Sequence, residues 1–118
     1  MRPGSKGLEG FYTHHYWKLS MSEKLYTIVI LKAKNHKLDE MLAVLEELAR
    51  QTRQEAGSLQ YGFYQNQELP NIVLSFEEWQ DADVEDKHWK TPHLMSAIEA
   101  FKDILDGDPI IYKGPQII

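Results

Sequence analysis

The chain has 118 residues, enough for one domain that buries roughly two-thirds of its unfolded surface. It contains no cysteine, which excludes disulfides, thiol catalysis and thiolate zinc sites and fits a cytoplasmic protein. The net charge is −5 with no Lys/Arg stripe, so no nucleic-acid partner is expected; no apolar run is long enough for a membrane span.

Residues 1–20 stand apart from the rest. Phe11, Tyr12, Tyr16 and Trp17 cluster there beside His14 and His15, among three glycines and one proline. The stretch has neither the continuous apolar core of a secretory signal nor the Arg-rich pattern of a transit peptide. We read it as an N-terminal leader whose aromatics suit a partner surface, with a domain over 21–118 that opens at Met21. Leu25 to Ala33 then reads as a strand buried on both sides, with Leu25, Val29 and Leu31 on one face and Tyr26, Ile28 and Ile30 on the other. Asn35-His36 makes a turn. Leu38, Met41, Leu42, Leu45, Leu48 and Ala49 recur at three- and four-residue steps, which predicts an amphipathic helix to about Glu55. Glu46 and Arg50 are placed to pair across one turn of it. Gly57 closes that helix as a left-handed cap residue does.

Ser58 to Gln65 alternates, with Leu59, Tyr61 and Phe63 expected inward, and Ile72 to Trp79 returns beside it as a hairpin. Asp81 is placed to cap a short helix through Trp89. Thr91-Pro92 restarts the helix, Thr as N-cap and Pro at the first helical position. Met95, Ile98, Phe101 and Leu105 are expected on its buried face, and Gly107 ends it. Pro109 to Tyr112 supplies a last strand. The order β-α-β-β-α-β is the α+β, ferredoxin-like arrangement of helices against one antiparallel sheet. Right-handed crossovers put both helices on one face, so the other face is left apolar and bare. A second copy stacked there by two-fold symmetry would cover it, which predicts a homodimer, a dimeric α/β barrel.

Chemistry concentrates in Phe76-Glu77-Glu78-Trp79 and His88-Trp89-Lys90-Thr91-Pro92-His93, within eighteen positions. His88 is the first candidate for a general base and Glu77 for its orienter or for the base itself. His93 sits at a helix N-terminus, where the dipole disfavours imidazolium. Trp79, Tyr26, Tyr61, Phe63 and Tyr64 are candidates for the walls of an apolar substrate pocket. Each residue also has a plainer reading. Glu77 would pair with a helix Lys or Arg, His88 would be solvated, His93 would be a first-turn residue and Trp79 core. Asp83, Glu85 and Asp86 read as a solvated helix face. No metal site is expected: Glu85 and His88 have di-iron spacing but lack a second copy of the motif, and His88 and His93, five apart, share no helix face.

These two blocks, with Thr52-Arg53-Gln54-Glu55-Ala56-Gly57-Ser58-Leu59-Gln60-Tyr61, resemble the antibiotic biosynthesis monooxygenase family over Leu25–Ile118. Ser58 stands where that family often has cysteine. The resemblance implies small ferredoxin-like dimers and oxygenation of a small quinol or polycyclic phenol by molecular oxygen, with no flavin, haem or metal cofactor. It extends to an isomerase that degrades a phosphorylated sugar-like signal, autoinducer-2, for which Lys87, Lys90 and Arg53 are the only suppliers of a phosphate site. A non-catalytic dimeric module that binds a small aromatic is the third reading. Haem degradation fits poorly. Residues 25–33 lack the asparagine of those relatives, and no histidine follows His93.

Overall fold

The computed structural model describes residues 23–118, so the leader expected over 1–20 lies outside the described residues. Strands β1 (Leu25–Lys32), β2 (Ser58–Gln65), β3 (Ile72–Trp79) and β4 (Ile110–Gly114) form one sheet in the order β2-β3-β1-β4. Every neighbouring pair is antiparallel. Helix α1 (Leu38–Thr52) joins β1 to β2, and α2 (Ala82–His88) and α3 (Pro92–Ile104) join β3 to β4. This is the ferredoxin-like α+β fold, with the second helical crossover broken in two.

Strand alternation divides the sheet into two unlike faces. Thr27 and Leu31 of β1 and Val73, Ser75, Glu77 and Trp79 of β3 are buried on the face that meets the helices. Met41, Leu45, Leu48 and Ala49 of α1 and Leu94, Ala97, Phe101 and Ile104 of α3 complete that core. On the opposite face the cross-strand pairs are Ile28–Tyr112, Ile30–Ile110, Ile30–Leu74 and Leu74–Tyr64. Ile28, Tyr64, Ile110 and Tyr112 of that set are exposed, so no described element covers them.

Local signals explain the break between α2 and α3. Asp81 Oδ1 accepts the Val84 N–H at 2.9 Å and starts α2. Thr91 Oγ1 accepts the Leu94 N–H at 3.3 Å and starts α3, with Pro92 in its first turn. Gly57 has φ +87°, and a Cβ there would stand 2.7 Å from a Val84 methyl, so α2 can pack on this turn only over a glycine.

Several expectations shift in detail. Helix α1 ends at Thr52, and residues 53–57 form turns that carry Glu55 away from the helix axis. Leu59 is half exposed, not inward, because a register irregularity between Ser58 and Gln60 takes it out of the alternation. Helix α3 buries Leu94, Ala97, Phe101 and Ile104 and leaves Met95 and Ile98 exposed. The helix carries two adjacent apolar stripes that share Phe101, and burying one turns Met95 outward and Ile98 toward the cavity. Arg50 pairs with Glu47, one turn away at i,i+3, where Glu46 was expected. Strand β4 starts at Ile110 and runs two residues beyond Tyr112.

Candidate active site

A cavity of about 180 Å³ lies between the sheet and the helices. Its wall is almost wholly apolar: Val29 and Leu31 from β1, Leu45 and Leu48 from α1, Phe101 and Ile98 from α3, Ile111 from β4. Tyr61 and Phe63 of β2 line it, and their rings meet edge to face at 5.4 Å. Glu77 and His88 also line it.

Glu77 reaches this wall because residues 73, 75, 77 and 79 share the helix face of β3. Among the described residues it makes no ion pair with Lys or Arg and no hydrogen bond to a histidine. Ser75 Oγ donates to Oε2 at 2.7 Å, and Trp79 Nε1 donates to Oε1 at 3.1 Å. Ser75 Oγ itself accepts the Val29 N–H, which ties the carboxyl to β1. Burial pushes the Glu77 carboxyl up to about 7; the two donors pull against it, the Glu85 charge adds to the rise, and Lys113 opposes it. Burial likewise pushes the Tyr61 hydroxyl upward, with the Glu77 charge next, so it stays protonated.

His88, the last residue of α2, is only 2% exposed. Its ring stacks on Trp79, centroids 4.7 Å apart, and meets Tyr61 edge to face at 5.4 Å. Burial lowers its pKa below the ordinary imidazole value, and the hydrogen bond and charge of Glu55 oppose that fall. The ring is thus enclosed, not solvated.

His88 Nδ1 lies 2.9 Å from Glu55 Oε2, and His93 Nε2 meets the same oxygen at 2.5 Å. The two rings are 6.2 Å apart. Five-residue spacing forbids that meeting on one unbroken helix, but the turn between α2 and α3 folds His93 back toward His88. The ligand-capable atoms of Glu55, His88 and His93 fall within 4.8 Å of one another, the make-up of a two-histidine, one-carboxylate metal set. Ligating histidines ordinarily give their second nitrogen to a carboxylate or carbonyl. Neither His88 Nε2 nor His93 Nδ1 has such a partner among the described residues, and the three side chains meet one another directly through Glu55 Oε2.

The remaining candidates sit elsewhere. His93 lies in a shallow groove between α1 and α3, outside the cavity. Trp79 is fully buried behind Glu77 and His88 and does not reach the cavity surface. Tyr26 packs on Phe76, and Tyr64 is 54% exposed, both on the helix-free face. Strand alternation puts them there, since Tyr26 is odd to Thr27 and Tyr64 odd to Phe63. Glu85, expected on a solvated helix face, is buried. It accepts from Thr27 Oγ1 at 3.3 Å, Trp89 Nε1 at 2.6 Å and Lys113 Nζ at 3.2 Å. Glu55, Glu85, Ser75 and Trp89 carry the polar framework, and none of the four stood among the predicted site residues. Trp89 lay inside the His88–His93 block and Glu55 just before Gly57, yet nothing in their spacing assigns them partners.

The described residues include no helix long and apolar enough to cross a membrane. Residues 25–100, more than half of the chain, match the family model for antibiotic biosynthesis monooxygenase. An uncharacterized protein of Synechocystis, sll1783, is 31% identical over 75 residues, which are 64% of this chain and 51% of that protein. The chain therefore spans about half the length of that relative. The crystal structure of a conserved Methanosarcina mazei protein is 26% identical with a TM-score of 0.77, covering 86% of this chain and 99% of the other. A crystal structure of an antibiotic biosynthesis monooxygenase gives 26% identity and a TM-score of 0.76, over 80% and 99% of the two chains. Sequence match, fold and element order agree: the chain belongs to the antibiotic biosynthesis monooxygenase family.

Proposed function

We propose that the protein is a cofactor-independent monooxygenase acting on a small quinol or electron-rich phenol, with its chemistry in the cavity between sheet and helices. One observation carries the reading. Among the described side chains lining an otherwise apolar cavity, Glu77, whose carboxyl burial raises to about 7, and His88, whose imidazole burial favours in the neutral form, supply a proton donor and a proton acceptor. An apolar cavity of this size takes a single aromatic ring, which displaces water as it binds. Dryness protects an electron-rich anion and strengthens any hydrogen bond made to it.

In this reading His88 accepts a proton from the substrate and leaves an anion that transfers an electron to oxygen. Recombination at carbon forms a C–O–O⁻ group, which takes a proton from Glu77. That ring carbon then gives up its one hydrogen as a proton to Glu77 while the O–O bond breaks, and the departing hydroxide takes the proton held by His88, which leaves a carbonyl and one water. A phenol passing to a quinone, or a quinol to a hydroxyquinone, gives up four electrons, and oxygen takes up four. No external reductant enters. Tyr61 and Phe63 supply ring surface.

The phosphorylated-sugar alternative finds less support. No Lys or Arg lines the cavity among the described residues. Arg53 donates to the Tyr61 carbonyl at 2.9 Å, and Lys90 pairs with Asp86 on the surface. We also propose that the protein is a homodimer joined through the helix-free face, since Ile28, Tyr64, Ile110 and Tyr112 leave an apolar surface there that monomers seldom expose. Oxygen uptake by the purified protein over a panel of quinols and phenols tests the function. Uptake matched one to one by oxygenated product supports it. Turnover under nitrogen points to the isomerase, and saturable binding without turnover to the binding module.

A further inference from the structure

Glu55 belongs to no helix or strand. Its N–H donates to the Thr52 carbonyl and its own carbonyl accepts from Ser58 N–H, so the turn holds its backbone on both sides. The side chain is 15% exposed and offers one oxygen, Oε2, to both His88 and His93. An ionised carboxylate only accepts, so a nitrogen that bonds to it carries the hydrogen. For His88 that nitrogen is Nδ1, and the ring's second nitrogen, Nε2, is left with its lone pair. The same ring lines the cavity.

We infer that Glu55 is the positioning residue of this site: it holds His88 as the Nδ1–H tautomer, with Nε2 as the proton acceptor for a ligand in the cavity, while His93 holds Glu55 in place. The inference rests on His88 being the base of the proposed oxygenation. It gives Glu55 two effects through one bond. The hydrogen bond selects the tautomer and orientation, and the negative charge stabilises the imidazolium formed when Nε2 takes a proton. The ionisable groups around the ring are Glu55 from the turn after α1, His93 from α3 and Glu85 from α2 itself. Trp79, Tyr61 and Trp89 fill the rest of its surroundings with aromatic surface. Among the described residues Glu55 is the one that bonds to the imidazole, so the orientation depends on it.

Nitrogen-15 imidazole spectra of the intact protein test this without any substrate. In the wild type at pH 8, His88 should show its hydrogen on Nδ1 and a bare Nε2. In Glu55→Gln, whose amide can donate as well as accept, the tautomer should become mixed or reverse. His93→Gln, which keeps a donor for Oε2, should leave the His88 tautomer as it is. With an oxygenated quinol, Glu55→Gln should lose on the order of tenfold in rate, and its acid limb should move to lower pH because the base has become weaker. A wild-type His88 with its hydrogen on Nε2 would overturn the inference. So would a folded Glu55→Gln protein whose tautomer and pH profile match the wild type. If the wild type takes up no oxygen with any quinol, the oxygenase reading fails, and the ring spectra still decide the role of Glu55.

Discussion

Two carboxyl groups, Glu77 on β3 and Glu85 on α2, are equally inaccessible at 2% exposure, and the company each keeps is opposite. Glu85 takes three donors, one of them the Lys113 ammonium, and lies beside the seam between β1, β4 and α2. Among the described residues Glu77 has two neutral donors, no bound cation and one side on the cavity. A buried carboxylate with a cation fastens segments together. One without is held near neutrality and keeps a labile proton. In the proposed reading one buried acid serves architecture and the other serves chemistry.

Substitutions separate the two. The largest effect on activity belongs to the group opposite Glu77: His88→Ala should lower oxygenation at least about tenfold, read as kcat/KM by oxygen electrode. The largest effect on folding belongs to Glu85. Glu85→Ala strands the Thr27 hydroxyl, the Trp89 indole N–H and the Lys113 ammonium, and should cost about 3 kcal/mol in urea unfolding.

Glu77→Gln should behave in the reverse way, with activity falling and stability at alkaline pH rising. The carboxyl is raised from 4.5 to about 7 in the fold, so the folded state holds its proton more tightly than the unfolded chain does. The stability this contributes is complete below about pH 4.5 and is lost as pH rises through about 7. Thermal melts of wild type and Glu77→Gln should therefore converge in acid, and above pH 7 the variant should gain relative to the wild type. The alkaline limb of the wild-type rate profile should lie near 7 and vanish in the variant.

The contrast was only half legible in the sequence. The alternation of β3 put Glu77 and Trp79 on one face, and Asp81, Thr91 and Pro92 marked both helix starts. Those are local signals, with partners at most three residues away. Glu55 was hidden because its partners are 33 and 38 residues further along the chain, and its own position is set by a turn that ends α1 early. Glu85 was hidden for a similar reason. Its neighbours Asp83 and Asp86 look alike in composition, and only Thr27 and Lys113, from distant strands, single it out. Tyr26 and Tyr64 were assignable from parity alone, once the inward residues of each strand were known.

A smaller effect sharpens the comparison from outside the site. Tyr112→Lys with Ile28→Lys places charge on the helix-free face and should shift sedimentation toward the monomer, while melting of the core around Glu85 changes little. A wild type that already sediments as a monomer would remove the proposed dimer.

Oxygen consumption by the metal- and flavin-free protein, recorded against quinol oxidation with and without catalase, bears most directly on the central claim. The proposed chemistry predicts one oxygen consumed per quinol, no oxygen returned by catalase, and loss of the reaction in His88→Ala. Oxygen returned by catalase, or an equal rate in His88→Ala, would contradict it.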